Sequence, residues 1–247
     1  MDNEMISALD IIYPRRCPVC DGVIKVFEIR NGHLRRGGYI HRGCAKSVKI
    51  VRGSTCMKCG KPLGRSSTDE YCSDCVRVQH IFDRGFSVFE YRSISGSVYR
   101  FKYLGRREYA VFYAAATKKL LGDRLKVLGI EAVIPVPMYR GKERKRGYNQ
   151  AAVYAKAVSK ILALPYRGDV IARKRDTVPM KELDATGRRN NLKNAFNIVR
   201  NDVKFKCVLL IDDIYTTGTT IDELSRVLRV AGVERVYFLT IAIGRTT

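Results

Sequence analysis

The segment 208–220, VLLIDDIYTTGTT, limits the fold more than any other stretch of this chain. Its first four residues are β-branched or aliphatic, which is typical of a parallel strand buried on both faces. Asp212 and Asp213 follow directly, and a Thr/Gly turn leads into a predicted helix. Ligands of open α/β sheets bind beyond the carboxyl ends of the strands. The segment therefore predicts a parallel sheet with a binding site beside the two acids.

The turn after the acids predicts a phosphate site. Gly218 permits a tight turn in which backbone amides approach an anion. Thr219 and Thr220 are expected to cap the following helix, whose N-terminus favours negative charge. Because Asp212 and Asp213 would repel a phosphate, we expect them to accept hydrogen bonds from sugar hydroxyls. The pattern predicts a ribose-5-phosphate site, and the chain has no G-x-x-x-x-G-K-[ST] loop that would indicate a Walker-type site.

Short apolar segments alternate with amphipathic ones after a change of composition near residues 76–85. This alternation predicts a mostly parallel sheet flanked by helices, preceded by a small separate domain. We expect domains at 1–80 and 81–247, a short N-terminal helix before Pro14 and a long mobile loop at 173–194. The expected strands are 86–91, 132–137, 195–199, 207–212 and 236–243, and the expected helices are 109–121, 150–164 and 222–231.

The formal net charge of +22 is large and uneven. Residues 135–200 hold 16 Lys/Arg and 5 Asp/Glu, which is half of the excess. Such a segment attracts a nucleotide phosphate, a pyrophosphate or a nucleic acid backbone, although a solvated basic surface is the alternative. No apolar run approaches the ~20 residues that cross a membrane. With no secretory signal at the start, we expect a cytoplasmic protein without a membrane span.

Seven of the eight cysteines lie within the first 75 residues, mostly as C-x-x-C pairs. In a reducing compartment this spacing favours metal binding over disulfides. Two short pairs complete one tetrahedral zinc site, and four protein ligands leave no open position, so the zinc would be structural. Pairing in chain order predicts one site of three cysteines and a histidine, and a second site of four cysteines. The predicted ligands are Cys17, Cys20, His41 and Cys44 in the first site, and Cys56, Cys59, Cys72 and Cys75 in the second.

Alternatives to this arrangement stay open for the first site. His33 competes with His41, the site could be vestigial, and crossed pairing of the half-sites is a further alternative. Cys207 stands alone on a predicted strand and is expected to be a packed core residue rather than a nucleophile.

Several motifs resemble one known family. VLLIDDIYTTGTT looks like the phosphoribosyl pyrophosphate (PRPP) motif of type I phosphoribosyltransferases. IPVPMYRGKERKRGYNQ at 134–150 resembles a signature of the ComF/GntX family of competence proteins, and FKYLGRREYA and RKRDT…RRNNLKNAF give looser support. The cysteine-rich part is similar to the zinc-ribbon extension of that family. Met180 stands where the family pattern has glutamine, which puts the acceptor in doubt more than PRPP binding.

The resemblance implies displacement of pyrophosphate from the anomeric carbon of PRPP, with Mg²⁺ as cofactor. Asp212 and Asp213 would hold the ribose hydroxyls and organise the metal, and Arg146 would join them in catalysis. The remaining expected contacts are Thr216, Thr217, Gly218, Thr219 and Thr220 for the 5′-phosphate, Pro137, Arg144, Arg146 and Gly147 for pyrophosphate, and Arg173, Arg175, Arg188 and Arg189 on a lid. Asn149 and Gln150 could cap a helix, and the lid could be only a solvated basic loop.

Three functions remain open at this point. The first is an enzyme that transfers a phosphoribosyl group to an unidentified acceptor. The second is a single-stranded-DNA-binding accessory protein in DNA uptake, with Tyr39, Tyr103 or Tyr148 available for stacking and a protein of the competence machinery as partner. The third is a PRPP sensor without turnover. This fold often dimerises, so a homodimer is one expectation for an oligomeric state that stays open.

Overall fold

The computed structural model describes residues 13–30, 33–64, 67–174, 195–199 and 204–244. The helix expected before Pro14 lies outside these ranges. The N-terminal part forms short elements around the cysteine pairs. These are β1 (Phe27–Arg30), β2 (His33–Arg36), α1 (Arg42–Ala45) and α2 (Ser73–Arg77). Strands β1 and β2 form an antiparallel pair.

The remainder of the chain builds an α/β domain. Its elements are β3 (Arg84–Glu90), α3 (Tyr91–Tyr103), α4 (Tyr109–Lys126), β4 (Ala132–Pro135), α5 (Arg140–Arg146), α6 (Gln150–Leu162), β5 (Ile171–Arg173), β6 (Phe196–Ile198), β7 (Cys207–Tyr215), α7 (Thr219–Val230) and β8 (Arg235–Ile243). The main sheet has the order β3-β8-β7-β4, and all its pairs are parallel. Strands β5 and β6 form a separate antiparallel pair. The predicted parallel sheet flanked by helices is confirmed.

Strand β7 lies inside the sheet between β8 and β4. Residues 207–211 are completely buried, and Cys207 is a packed core residue as predicted. Two apolar clusters cover the two faces of the sheet. One includes α3, α4 and α6, and the other includes α7 together with Cys56, Cys59 and Cys72. The cysteine-rich part therefore contributes to the core of the sheet, while the domain boundary at residue 80 stays a prediction.

Several predicted boundaries differ from those in the structure. Helix α3 is absent from the sequence prediction because its serines, glycine and β-branched residues are weak helix formers. It forms because Ile94, Val98 and Phe101 are buried against the sheet. The stretch after Pro137 contains α5, a helix that is absent from the sequence prediction and has no buried residue. Helix α4 extends to Lys126 rather than 121, and β7 continues past the acid pair to Tyr215.

The start of α7 also corrects the prediction. The helix begins at Thr219 rather than 222, and Gly218 is its N-cap residue. Neither Thr219 nor Thr220 caps it, since no side chain makes a capping hydrogen bond there. Gly218 has a φ of 80°, which glycine adopts without strain.

The cysteine-rich part covers the exposed edge of β3. The amides of Val51 and Gly85 form hydrogen bonds across this edge, Val51 N donating to Val88 O at 3.0 Å and Gly85 N donating to Lys58 O at 2.7 Å. A Cβ atom on Gly60 would lie 2.5 Å from the carbonyl oxygen of Gly85, so the two backbones meet without side chains between them. This contact fixes the second cysteine module, which contains Cys56, Cys59, Cys72 and Cys75, against the sheet.

The first cysteine module packs against α3 and α4. Arg100 donates to the carbonyl oxygen of Pro18 at 3.0 Å. Asp21 accepts from Tyr109 Oη at 2.5 Å and from Arg106 Nη2 at 2.8 Å. Within the ranges that the structure describes, no helix is both long and apolar enough to cross a membrane.

Candidate functional site

The acid pair lies near the end of β7, where the sequence predicts it. Asp213 is 5% exposed. Its Oδ1 forms an ion pair with Lys102 Nζ at 3.0 Å, and its Oδ2 accepts from Gln150 Nε2 at 2.7 Å. Asp212 Oδ1 accepts the amide of Asp213 at 2.8 Å. Lys102 therefore connects α3, and Gln150 connects α6, to the central strand.

Ionisation of Asp212 is unfavourable, because the carboxyl is buried and lies beside a second carboxylate. Burial raises the pKa of Asp212 to about 7, and the neighbouring charge of Asp213 adds to the shift, against Lys102 and Arg173. Burial disfavours the charge of Lys102, but the carboxylate of Asp213 raises its pKa above the usual value. Added positive charge would favour the ionised acid pair, and carboxylate oxygens are ligands that Mg²⁺ prefers.

A hydrogen-bond chain joins the acids to the basic segment 140–147. Arg146 Nη1 donates to Gln150 Oε1 at 2.5 Å, and the same Gln150 donates to Asp213. The guanidinium of Arg146 lies 4.9 Å from the ring centre of Tyr103. The structure thus brings Arg146 together with Asp213, although the two residues are 67 positions apart in the sequence.

The residues around Arg146 are held by backbone contacts. Gly147 ends α5 with a φ of 84°, and its carbonyl oxygen accepts from Arg107 Nη2 at 2.8 Å. Asn149 caps α6 by accepting from the amide of Ala151 at 3.0 Å, as predicted. It also donates to the carbonyl oxygen of Val136 at 3.0 Å, which fixes the chain beside Pro137.

The predicted phosphate residues lie in the turn after β7 and in the first two positions of α7. Thr216 and Thr217 are exposed, Gly218 is buried, and Thr219 and Thr220 are half-buried at the start of the helix. Thr217 Oγ1 lies 2.9 Å from Thr219 Oγ1. Exposed hydroxyls at the N-terminus of a helix are suited to bind an anion.

The remaining predicted residues are only partly brought to this site. Arg173 ends β5, its guanidinium lies 5.5 Å from the ring centre of Phe196, and its charge acts on Asp212. Arg144 is exposed on α5. Arg175, Arg188, Arg189 and Met180, with most of the predicted lid, lie outside the described residues.

The three tyrosines proposed for stacking differ in how far their rings are exposed. Tyr103 is 58% exposed, and Tyr39, which is half-buried, lies under Arg15. Tyr148 does not qualify, because it is 6% exposed and donates its hydroxyl hydrogen to the carbonyl oxygen of Phe101. Its ring is covered by Arg107, whose guanidinium lies 4.4 Å from the ring centre.

Sequence reasoning missed two polar residues that touch the predicted site. Lys102 lies in the segment FKYLGRREYA, which gave loose support to the family resemblance but no contact to the acids. His80 lies between the cysteine-rich part and β3, and its Nδ1 is 2.7 Å from Asp222 Oδ2 in α7. No local pattern predicts either contact, because each joins elements far apart in the sequence.

The first cysteine module has ligand atoms suited to one zinc ion. The ligand atoms of Cys17, Cys20, His41 and Cys44 lie within 4.8 Å of one another. His41 Nδ1 lies 3.3 Å from Cys20 Sγ, while Nε2 lies 3.0 Å from the carbonyl oxygen of Val23. That oxygen accepts the Nε2 proton, which leaves Nδ1 to bind metal. The amide of Gly22 lowers the pKa of the Cys20 thiol to about 7 and so favours the thiolate.

The second cysteine module groups Cys56, Cys59, Cys72 and Cys75 within the same 4.8 Å limit. The sulfur atoms of Cys59 and Cys72 are 3.6 Å apart. Two sulfurs on one tetrahedral zinc, each at about 2.3 Å, are separated by a similar distance. Lys61 and Asp74, one beside each pair, form an ion pair at 2.5 Å. The ligands of each group are consecutive along the chain, so the pairing is not crossed. None of the eight cysteines forms a disulfide.

Two family descriptions match the chain. Residues 8–76 match the Double zinc ribbon domain, and residues 149–246 match the Phosphoribosyl transferase domain. The first match, together with the two tetrads, supports structural zinc in the N-terminal part. The second covers α6, the acid pair and the turn before α7.

Curated relatives resemble most of the chain. It is 31% identical over 229 residues to Competence protein F of Haemophilus influenzae, covering 90% of this chain and 93% of that protein. It is 30% identical over 192 residues to DNA utilization protein YhgH of Salmonella typhi, covering 75% and 82%. Competence protein ComFC of Bacillus subtilis is 26% identical over 199 residues, covering 75% of each chain. This chain therefore belongs to the competence protein F family, with a double zinc ribbon in front of a phosphoribosyltransferase domain.

Proposed function

We propose that the protein binds PRPP with Mg²⁺ and transfers its phosphoribosyl group to an acceptor during the use of incoming DNA in the cytoplasm. The observation that carries the proposal is the acid pair on the central strand, which leads through Tyr215 into a turn with exposed hydroxyls at a helix N-terminus. The names of the relatives, which refer to competence and DNA utilization, support the connection with DNA.

In this proposal the acid pair binds the sugar. Asp212 Oδ2 has no hydrogen-bond partner within the described part of the chain, whereas Asp213 is held by Lys102 and Gln150. Asp212 would accept from a ribose hydroxyl, and Asp213 would stay oriented by its two partners. Asp212 and Asp213 would also organise Mg²⁺, which would offset the negative charge of the pyrophosphate when bound. Its positive charge also favours ionisation of Asp212.

The anion contacts would be divided between the two ends of PRPP. The hydroxyls and amides of residues 216–220 would hold the 5′-phosphate at the start of α7. Arg146, with Arg144, Gly147 and Pro137 beside it, would bind the leaving pyrophosphate, where negative charge grows during the reaction. Arg173 and the lid arginines Arg175, Arg188 and Arg189 would close over PRPP and exclude water.

Calorimetric titration with PRPP tests the proposal. We expect Mg²⁺-dependent binding that the double substitution Asp212→Ala and Asp213→Ala abolishes. Glu234→Ala is a matched control, because it removes an exposed carboxylate that pairs with Lys206. This pair lies at the start of β7 and β8, at the end of the sheet away from the acid pair. Equal binding by the double variant and the control would contradict the assignment. Pyrophosphate release in a screen of bases, amines and single-stranded DNA separates an enzyme from a PRPP sensor.

A second candidate function is binding of single-stranded DNA, either as a separate activity or as the acceptor. The exposed rings of Tyr99 and Tyr103 lie side by side on α3, with centroids 5.1 Å apart. Arg146 covers Tyr103, and Lys102 of the same helix contacts Asp213. Neighbouring aromatic rings beside cations are typical of sites that stack successive bases. This surface would place a DNA strand next to the acid pair.

A further inference from the structure

The second cysteine module, called the second zinc module from here on, is joined to the sheet by a linker at residues 76–82. This linker has one buried polar side chain. Residues 76–79 and Ile81 are exposed, but the side chain of His80 is 1% exposed. Its ring stacks on Phe82 with centroids 4.7 Å apart. A buried imidazole requires a polar partner, and its position in an otherwise exposed linker indicates a specific contact.

That partner is Asp222 in the first turn of α7. His80 Nδ1 donates to Asp222 Oδ2 at 2.7 Å, and the amide of Ile81 donates to Asp222 Oδ1 at 2.8 Å. The amide of Asp222 in turn donates to the carbonyl oxygen of Gly218 at 2.8 Å. Both carboxylate oxygens thus bond to the linker, and the start of α7 is fixed to it.

His80 also borders the turn itself. A Cβ atom on Gly218 would lie 2.9 Å from His80 Cε1 and 2.7 Å from Tyr215 Oη. The imidazole and the phenol therefore fill the space beside Gly218. They leave room only for glycine at the position where the chain turns from β7 into α7.

The second zinc module holds the linker from its other end. Helix α2 carries Cys75 and ends at Arg77, three residues before His80. Cys56, Cys59 and Cys72 share one buried cluster with Phe82 and Tyr215. Phe82 packs edge-on against Phe238, with centroids 4.9 Å apart, so the linker is anchored in the sheet as well.

We infer that His80 is a positioning residue for the anion-binding turn, and that the second zinc module keeps His80 in place. The structural zinc would thereby act on a phosphate ligand through the path from α2 to His80, Asp222 and Gly218. The consequence for PRPP rests on the proposed function, whereas the effect on the turn does not.

The test compares His80→Ala with His80→Asn, whose side-chain amide can replace the Nδ1 donor. Hydrogen exchange reports on the amides of residues 216–222, calorimetry on PRPP affinity, and metal analysis on zinc content. We expect His80→Ala to keep its zinc and exchange these amides faster. PRPP should bind about tenfold more weakly, because the turn loses a hydrogen bond to a charged group that holds it and must then be ordered when PRPP binds. His80→Asn should restore both properties.

Asp83→Ala is the matched control, because Asp83 binds Arg229 at the far end of α7 at 2.7 Å and should cost stability without changing the turn. Equal exchange and PRPP affinity in His80→Ala and Asp83→Ala would overturn the inference, as would an Asn variant as impaired as the Ala variant. If His80→Ala loses zinc and unfolds, the milder Asp222→Asn variant decides by the same readouts. Faster exchange in a protein whose wild type does not bind PRPP would support the inference and contradict the proposed function.

Discussion

At the residue scale, Asp212 is a buried carboxyl whose ionisation costs stability. The pKa of this carboxyl is raised to about 7 by burial and by the adjacent charge of Asp213. An aspartate in an unfolded chain has a pKa of about 3.9. The folded state therefore favours protonated Asp212, and the resulting stabilisation is complete below about pH 4 and lost as the pH rises through 7.

We predict that Asp212→Asn raises the free energy of unfolding at pH 8, where wild-type Asp212 is ionised at a cost. A shift of about three pKa units corresponds to at most about 4 kcal/mol, and the gain should shrink steadily toward pH 5. Urea unfolding at several pH values measures it. Glu234→Gln serves as control, because Lys206 lowers the pKa of Glu234, so this variant should gain no stability at pH 8. A pH-independent gain in Asp212→Asn would contradict the prediction.

At the scale of elements, α3 connects three parts of the molecule. Its inner side is buried on the sheet, Arg100 contacts the first zinc module, and Lys102 contacts the acid pair. Its outer side exposes Tyr99 and Tyr103. The same helix therefore carries the counter-ion of the acid pair and the candidate DNA surface.

We predict that replacing Tyr99 and Tyr103 together by leucine weakens binding of single-stranded DNA about tenfold or more, since each stacked base contributes about 1–3 kcal/mol. The slope of affinity against salt should not change, because no charge is removed. Fluorescence anisotropy at several salt concentrations measures both. Tyr71→Leu, an exposed tyrosine of the second zinc module, is the matched control. An equal loss in the control would exclude a stacking surface on α3.

The sequence predicts the elements that carry strong local patterns. The apolar run of β7, the acid pair, the cap at Asn149 and the short pairs of metal ligands all follow from neighbouring residues. The contacts of Lys102 and His80 do not, because each depends on which elements the fold brings together. Helix α3 was not predicted for a related reason. Its residues are weak helix formers, and the helix is stabilised by burial against the sheet, which depends on the fold.

At the scale of the whole molecule, the zinc modules and the sheet share their cores. Cys56, Cys59 and Cys72 belong to the apolar cluster on one face, and Val19, Val48 and Ile50 pack against the cluster on the other. Metal binding should thus be linked to folding of the complete chain, and not only to folding of its N-terminal part.

We predict that the zinc-loaded protein unfolds in one cooperative thermal transition, and that a strong chelator abolishes it or shifts it to much lower temperature. Zinc binding to small structural sites releases about 10–16 kcal/mol, which is comparable with the entire stability of a typical domain. Calorimetry with and without chelator checks this. Cys59→Ser, at a completely buried ligand, should be more damaging than Cys20→Ser at an exposed one. A sheet transition that chelation leaves unchanged would contradict the shared core.

The hydrogen bonds of Val51 and Gly85 along β3 have a consequence for the protein without metal. An uncovered edge strand offers unpaired amides and carbonyls to other chains and promotes aggregation. Strand β3 has five consecutive buried residues, Gly85–Phe89, so it would be prone to pair with other chains once it is uncovered. Freshly synthesised chains in zinc-poor cells would expose this edge and be lost to insoluble material or proteolysis. Zinc supply would then set how much of the protein accumulates.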